Sequence, residues 1–301
     1  MSGVLRSDRI DGVTPPHPLL GTHLSAAGKL ATVPERAKAL GAESVQVFLG
    51  NPRGWATTEG DPATDAAFRA AAESLAMPVL VHSAYLINLG SPTRQTFERS
   101  AASLTHAIRR GRHVGASGVV VHTGSCVAEG NRDAALKQVR EALLPVLDGL
   151  DDDDPALLLE PTAGQGQSLC ATIGDLIAYL DVLDRHPRAQ ICFDTCHIFA
   201  AGHDLAAPGG MTAALDELLR VAGPDRLAAV HANDSMDVCG SFRDRHQRVG
   251  TGHIGAEPFG ELLRHPAVAG IPVVLETPGG PEAYAEDIAL LDGLRQEDVP
   301  L

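Results

Sequence analysis

Cysteine, aromatic residues and long apolar stretches are all scarce in this chain. The five cysteines (Cys126, Cys170, Cys192, Cys196 and Cys239) are odd in number and scattered, so no disulfide framework is expected. Cys192 and Cys196 have three residues between them, which is not the redox Cys-x-x-Cys spacing, and two thiols with these neighbours do not make a tetrathiolate metal site. Cys192 lies inside an apolar run and reads as a core thiol. No segment approaches the roughly 20 apolar residues of a membrane span. The opening stretch MSGVLRSDRIDGVTPPHP lacks the apolar core of a secretory signal. Together these absences point to the cytoplasm, with reduced thiols and no membrane partner. Pro15, Pro16 and Pro18 oppose regular structure, so residues 1–18 are expected to form a flexible extension and 19–301 the folded unit. Positive charge is also short. The formal net charge is −14, which alone disfavours nucleic acid and favours a small-molecule substrate. Bound cations would change that balance, and thirteen histidines supply ligands for them.

What is present is a repeat. Short apolar runs recur at LLGTHLS (19–25), SVQVFLG (44–50), MPVLVHSA (77–84), GVVVHTGS (118–125), ALLLEPTA (156–163), AQICFDTCH (189–197), LAAVHAND (227–234) and IPVVLETP (271–278). They are too short for helices and read as strands buried on both faces. Helical stretches alternate with them. Asp61-Pro62 and Ser91-Pro92 place an N-cap before a first-turn proline, and TIGDLIAYLDVLDRHP is amphipathic and stops at Pro187. Eight βα units with no composition break indicate an α/β fold, a single (β/α)8 TIM barrel. A doubly wound open sheet is disfavoured because no GxGxxG follows a first strand. The DDDD run at 151–154 reads as a solvated loop before the fifth strand.

In such barrels the chemistry sits at the C-terminal strand ends. Seven of the eight ends here carry His23, His82, His122, Glu160, Asp194, His231 or Glu276. A single histidine after a strand is most often a hydrogen-bonded loop residue. Seven polar ends converging on one mouth would be costly to desolvate without cations. His197, three residues after Asp194, should leave the chain in a different direction, which suggests either two different metals or a metal and a partner orienting its ligand. In Asp244-Arg245-His246 the acid and the histidine share one side of an extended segment and can chelate one ion. Five histidines (His82, His122, His197, His231, His246) and four carboxylates (Glu160, Asp194, Asp244, Glu276) favour Zn2+, with Mn2+ or Fe2+ as alternatives. Nine side chains give three ions about three ligands each if one carboxylate bridges.

At this point the chain resembles the endonuclease IV family of apurinic/apyrimidinic DNA-repair nucleases. The likeness runs from about Leu20 to about Leu294, through LGTHLSAAGKL, VHSAYLINLG, VVVHTGS, LEPTAGQG, FDTCHIFAAGHD, VHANDS, RDRHQRVGTGHIG and VVLETP. It implies a (β/α)8 barrel with three Zn2+. By resemblance, His82, His122 and Glu160 hold one ion. Glu160 bridges to a second, held also by Asp194, His231 and Glu276, and the third takes His197, Asp244 and His246. Glu160 and Glu276 are the expected catalytic residues, the second as ligand and orienter of the nucleophile. The resemblance further implies hydrolysis 5′ to abasic sites in duplex DNA, with Arg53, Tyr85 and Leu86 entering the duplex. Arg243, Arg245 and Arg248 lie in loops beside the inferred site, as candidate phosphate contacts. Three positions depart from the usual family pattern: EPTAGQG for ENTAGQG, HTGS for HPGS and VGTG for LGEG, all beside ligands and not on them. His23 is expected to support a ligand without binding metal, His203 and His253 to be loop residues, and Trp55 to be a packed loop aromatic. The family precedent is a monomer with no obligate protein partner. The alternative activity is a metal-dependent sugar isomerase or epimerase on a related barrel, which leaves the Asp244-Arg245-His246 triplet without a role.

Overall fold

In the computed structural model of the chain, residues 16–27 and 30–296 are described. The expectation for residues 1–18 therefore falls largely outside the described residues. Each of the eight apolar runs holds a strand: β1 Leu19–His23, β2 Ser44–Val47, β3 Val79–His82, β4 Gly118–His122, β5 Ala156–Glu160, β6 Ala189–Asp194 and β7 Leu227–His231. A short antiparallel hairpin follows, β8 Asp234–Ser235 with β9 His246–Gln247, before the last barrel strand, β10 Pro272–Leu275. The barrel strands are all parallel and close in the order β1-β10-β7-β6-β5-β4-β3-β2. The chain is a single TIM barrel, as expected from the repeat.

Side-chain parity then sorts the residues. One hydrophobic cluster contains Leu80, Val120, Leu158, Cys192, Ala229 and Val274, one residue from each of six strands, which places them on the barrel axis. Cys192 is thus the core thiol expected, and burial pushes its pKa up to about 12. Their strand neighbours (Val119 and Val121, Leu157 and Leu159, Ile191 and Phe193) join the larger cluster under the helices. Two residues after each axial residue, on the same face, come His82, His122, Glu160, Asp194, His231 and Glu276. Glycine is needed in β1 at position 21, because a Cβ there would collide with Ser44 Oγ and come within 2.6 Å of the Ser44 carbonyl oxygen.

Several boundaries differ from the sequence reading. The run 189–197 is not one strand: it ends at Asp194, and Thr195–Ala200 is helical. Asp61 caps the helix Pro62–Ser74 by accepting the Thr64 N–H at 2.9 Å, as expected. Ser91 does not cap the next one, which starts at Arg94, because its Oγ instead accepts the Thr93 N–H in the turn before it. The helix expected to reach Pro187 ends at Asp181, since Asp184 and Arg185 adopt positive φ (51° and 48°). The 151–154 loop is not simply solvated: Arg112 lies 3.2–3.6 Å from the carboxylates of Asp151, Asp153 and Asp154. Among the described residues no helix is long and apolar enough to cross a membrane.

Candidate metal centre

Strand register brings the polar ends together in pairs. His122 is the Cα partner of Glu160, and Asp194 of His231. The loop-borne residues arrive by two further devices. The Asp194 carboxylate accepts the His197 N–H at 2.8 Å, which starts the helix Thr195–Ala200 and turns His197 back over the mouth. The β8–β9 hairpin returns Asp244 and His246. Buried Asp234 fixes the stretch that follows by accepting N–H bonds from Ser235, Gly250, Gly252, Ile254 and Gly255 at 2.7–3.2 Å.

All nine expected ligands converge. Glu160 is central: its Oε2 lies 3.3 Å from the Nε2 atoms of both His82 and His122, and its Oε1 lies 3.0 Å from His231 Nδ1. His231 Nδ1 is also 3.3 Å from Glu276 Oε2 and 3.7 Å from Asp194 Oδ2. Asp244 Oδ1 is 3.2 Å from His197 Nε2 and 3.1 Å from His246 Nε2. Candidate ligand atoms of His82, His122 and Glu160 lie within 4.8 Å of one another, as do those of Glu160, Asp194, His231 and Glu276. Asp194 does not separate cleanly from His197, however. These two and His246 also lie mutually within 4.8 Å, because helix capping points the carboxylate toward its own first turn. The Cys196 thiol, not among the expected ligands, stands within 4.8 Å of the Asp244 and His246 ligand atoms.

The imidazoles are oriented from behind. His82 Nδ1 meets the Ser83 carbonyl at 2.8 Å, His197 Nδ1 the Pro161 carbonyl at 3.0 Å, and His246 Nδ1 the Glu276 carbonyl at 3.4 Å. Each leaves Nε2 facing the centre, the arrangement that fixes ligand tautomers around metals. His197 Nε2, His246 Nε2 and Glu160 Oε2 are buried without a hydrogen-bond partner. Polar atoms buried this way are unfavourable unless something else binds there, and the donor set suits zinc-like cations. The residues therefore fit a metal centre.

Electrostatics agree. Burial raises the Glu160 pKa, but the surrounding imidazoles outweigh it and hold the carboxyl well below its usual range. Burial lowers the His246 pKa, yet the Asp194 and Asp244 carboxylates push it up to about 9. His23 goes the other way: burial lowers its pKa, outweighing the neighbouring Glu276 carboxylate. It lies 2.9 Å from Glu276 Oε1, so it supports a candidate ligand, as expected.

Two residues escaped the sequence reading. Gln46 donates to Glu276 Oε1 at 2.7 Å and meets His231 Nε2 with its Oε1 at 3.0 Å, fixing two candidate ligands at once. Asn233 donates to Asp194 Oδ2 at 2.8 Å and accepts the Glu276 N–H at 2.9 Å. Gln46 had a signal, since it stands one residue before the end of β2, the one barrel strand for which the sequence reading named no polar end. Two of the three departures from the family pattern make contacts of their own: the Pro161 carbonyl meets His197 Nδ1, and Thr123 Oγ1 donates to the Cys170 carbonyl at 2.9 Å.

The expected DNA-facing residues divide. Arg53 is exposed, and Tyr85 and Leu86 are 46% and 36% exposed, with the Tyr85 ring 5.8 Å from that of His122. The loop carrying Arg53 is held by His106 on the Thr58 carbonyl (3.0 Å) and by Arg110, which bonds the Glu59 carbonyl at 2.6 Å and pairs with buried Asp65. Arg245 is paired bidentately with Asp237, and Arg243 lies 3.6 Å from the same acid. Arg248 is tied to Glu286 and Asp287. Half-buried Trp55 lines one cavity with Arg99, His106 and Arg109.

Fold and site together define a parallel (β/α)8 barrel with a histidine–carboxylate metal centre at its C-terminal mouth. The xylose isomerase-like TIM barrel family model matches residues 34–294. A probable endonuclease 4 of Streptomyces coelicolor is 55% identical over 278 residues, covering 92% of this chain and 95% of that protein. The crystal structure of endonuclease IV from Thermus thermophilus superposes with a TM-score of 0.80 at 36% identity, over 92% of this chain and 98% of that one. The chain belongs to the endonuclease IV family. A 3-keto-D-glucoside 4-epimerase from E. coli superposes with a TM-score of 0.66 over 92% of this chain and 99% of that one; at 17% identity this likeness concerns the fold alone.

Proposed function

We propose that the protein is a base-excision-repair endonuclease that hydrolyses the phosphodiester 5′ to abasic sites in duplex DNA, leaving a 3′-hydroxyl and a 5′-deoxyribose phosphate. One observation carries the reading: nine inward-facing histidine and carboxylate side chains converge, and three of them keep a buried polar atom free of any hydrogen bond. His82, His122 and Glu160 would hold one divalent ion, Glu160, Asp194, His231 and Glu276 a second, and His197, Asp244 and His246 a third. Zinc suits the set, with Mn2+ or Fe2+ as alternatives. Bound ions supply Lewis-acid stabilisation of phosphodiester charge and make water acidic near neutral pH.

The side chains do the rest. Glu160 turns one oxygen toward His82 and His122 and the other toward His231, the position of a bridging carboxylate. Gln46 and His23 hold Glu276 Oε1, leaving Oε2 toward the centre to orient the nucleophile. Arg53, Tyr85, Leu86, Arg243 and Arg245 would meet the duplex. An abasic nucleotide has no base to unstack, so it enters such a pocket at low cost. Three divalent ions would reduce the net charge from −14 to about −8, concentrating the correction at the mouth. The protein would work as a cytoplasmic monomer.

The sugar epimerase alternative gains nothing specific, because it leaves the His197–Asp244–His246 group unexplained. The test is incision of a duplex carrying one tetrahydrofuran abasic analogue, which cannot undergo β-elimination, with undamaged duplex as control. A cut immediately 5′ to the analogue, with an extendable 3′-end, is expected. Protein with its metals bound and no cut would contradict the reading.

A further inference from the structure

Three of the large hydrophobic side chains left exposed belong to the short stretch 236–242: Met236, Val238 and Phe242. Phe242 is 54% exposed, and its backbone lies in the left-handed region at φ 55°. That conformation is uncommon for a bulky side chain and concentrates at functional sites. It is held in place. The Phe242 N–H donates to the Ala200 carbonyl at 3.0 Å. Its ring rests on Gly164, where a Cβ would come within 2.7 Å of the ring Cδ1. Gly164 follows Glu160 by four residues, and Asp244 follows Phe242 by two. The ring is therefore placed between two segments that deliver candidate ligands, and it stays more than half exposed. Folding does not explain an aromatic that is both strained and exposed.

The chemistry beside it selects the occupant. Arg243 is adjacent, with a side chain 66% exposed and only a loose 3.6 Å approach to Asp237. A flat apolar ring next to an exposed cation and a phosphodiester-cleaving centre matches a nucleotide of a DNA strand, which offers a π-face and a phosphate. Tyr85 supplies the corresponding aromatic at the other end of the site, against His82 and His122. We propose that Phe242 is a specificity-determining residue that stacks on a nucleotide flanking the scissile phosphodiester, with Arg243 on the adjoining phosphate. This rests on the DNA-incision reading.

Phe242→Gly removes the ring and relieves the left-handed backbone, whereas Phe242→Ala removes the ring alone and Phe242→Trp keeps a stacking face. Each variant, as full-length metal-replete protein, is assayed on tetrahydrofuran duplexes with 2-aminopurine at the nucleotides flanking the lesion. The expected result is that wild-type protein quenches one flanking 2-aminopurine, and both the Gly and Ala variants lose that quenching. Their KM should rise about tenfold with kcat within about twofold, and Trp should restore both. The Gly variant should melt no lower than wild type. Unchanged quenching and KM in both ring-less variants, beside normal wild-type incision, would overturn the inference alone. So would a lowered melting temperature with KM unchanged, which assigns the ring to packing. Absence of incision by wild-type protein would instead overturn the DNA reading on which it rests.

Discussion

Two layers of side chains inside this barrel lie only two residues apart and behave as opposites. The lower layer, Leu80, Val120, Leu158, Cys192, Ala229 and Val274, is apolar and closed to water. The upper layer, His82, His122, Glu160, Asp194, His231 and Glu276, is polar, mostly buried, and includes a carboxylate oxygen with no hydrogen-bond partner. The strands, register and axis are the same, and the separation is about 6.6 Å along each strand. Stability and function are thus stacked in one cylinder. The dry layer forms a low-dielectric floor that strengthens every charge interaction above it, and the upper layer gives up stability to a buried carboxylate oxygen that a bound cation would satisfy.

The comparison can be broken most severely at Glu160, which touches both sides of the upper layer. Glu160→Gln keeps the shape and removes the charge. It should cut incision by about a thousandfold or more and release metal, while far-ultraviolet circular dichroism stays unchanged. Normal metal content with normal incision would remove Glu160 from the bridging position. The lower layer should respond in stability instead. Leu158→Ala is expected to destabilise the fold by about 2–5 kcal/mol in denaturant titration, with metal stoichiometry retained below the transition. Gln46→Ala tests how far the upper layer depends on its supports. It frees His231 and Glu276 together, and metal affinity measured by competition with a chromophoric chelator should fall about 10–100-fold.

The smallest effect sharpens the electrostatics. His246 is buried, which lowers its pKa, but Asp194 and Asp244 outweigh this and carry it to about 9 in metal-free protein, from 6.5. A raised histidine stabilises the metal-free fold fully below pH 6.5, and that contribution is lost as pH rises through 9. Metal must displace the same proton, so metal affinity should rise over that interval while the stability of the metal-free protein falls. Proton release on adding zinc to chelator-treated protein in weak buffer checks the sign. Release at pH 7 that fades toward pH 9 is expected.

Much of this arrangement is legible in the sequence because strand parity is a strict period of two. A valine–any–histidine or leucine–any–glutamate at the end of an apolar run fixes both the floor and the ligand above it. Gln46 was missed because an amide is neither a metal ligand nor a titrating group, although Ser44 and Gln46 obey the same period. His197 does lie beyond the strand, as its offset from Asp194 implies, but the Asp194 side chain captures its N–H and starts a helix there; side-chain capping is invisible to a hydrophobicity pattern. Asp237 was missed for a related reason. Nothing in local spacing shows that it pairs with Arg245, eight residues on, one of the candidate phosphate contacts. Asp234 likewise organises residues 250–255 through backbone N–H groups alone.

On the proposed function, the upper layer and the loop-borne ligands form one metal centre that cuts DNA. Its most direct measurement is metal content and incision followed on the same samples during stepwise chelation. About three zinc ions per chain are expected at the start. Incision of the abasic-analogue duplex should fall with the first ion removed and return when zinc is restored. Full incision persisting after all metal has gone would contradict it.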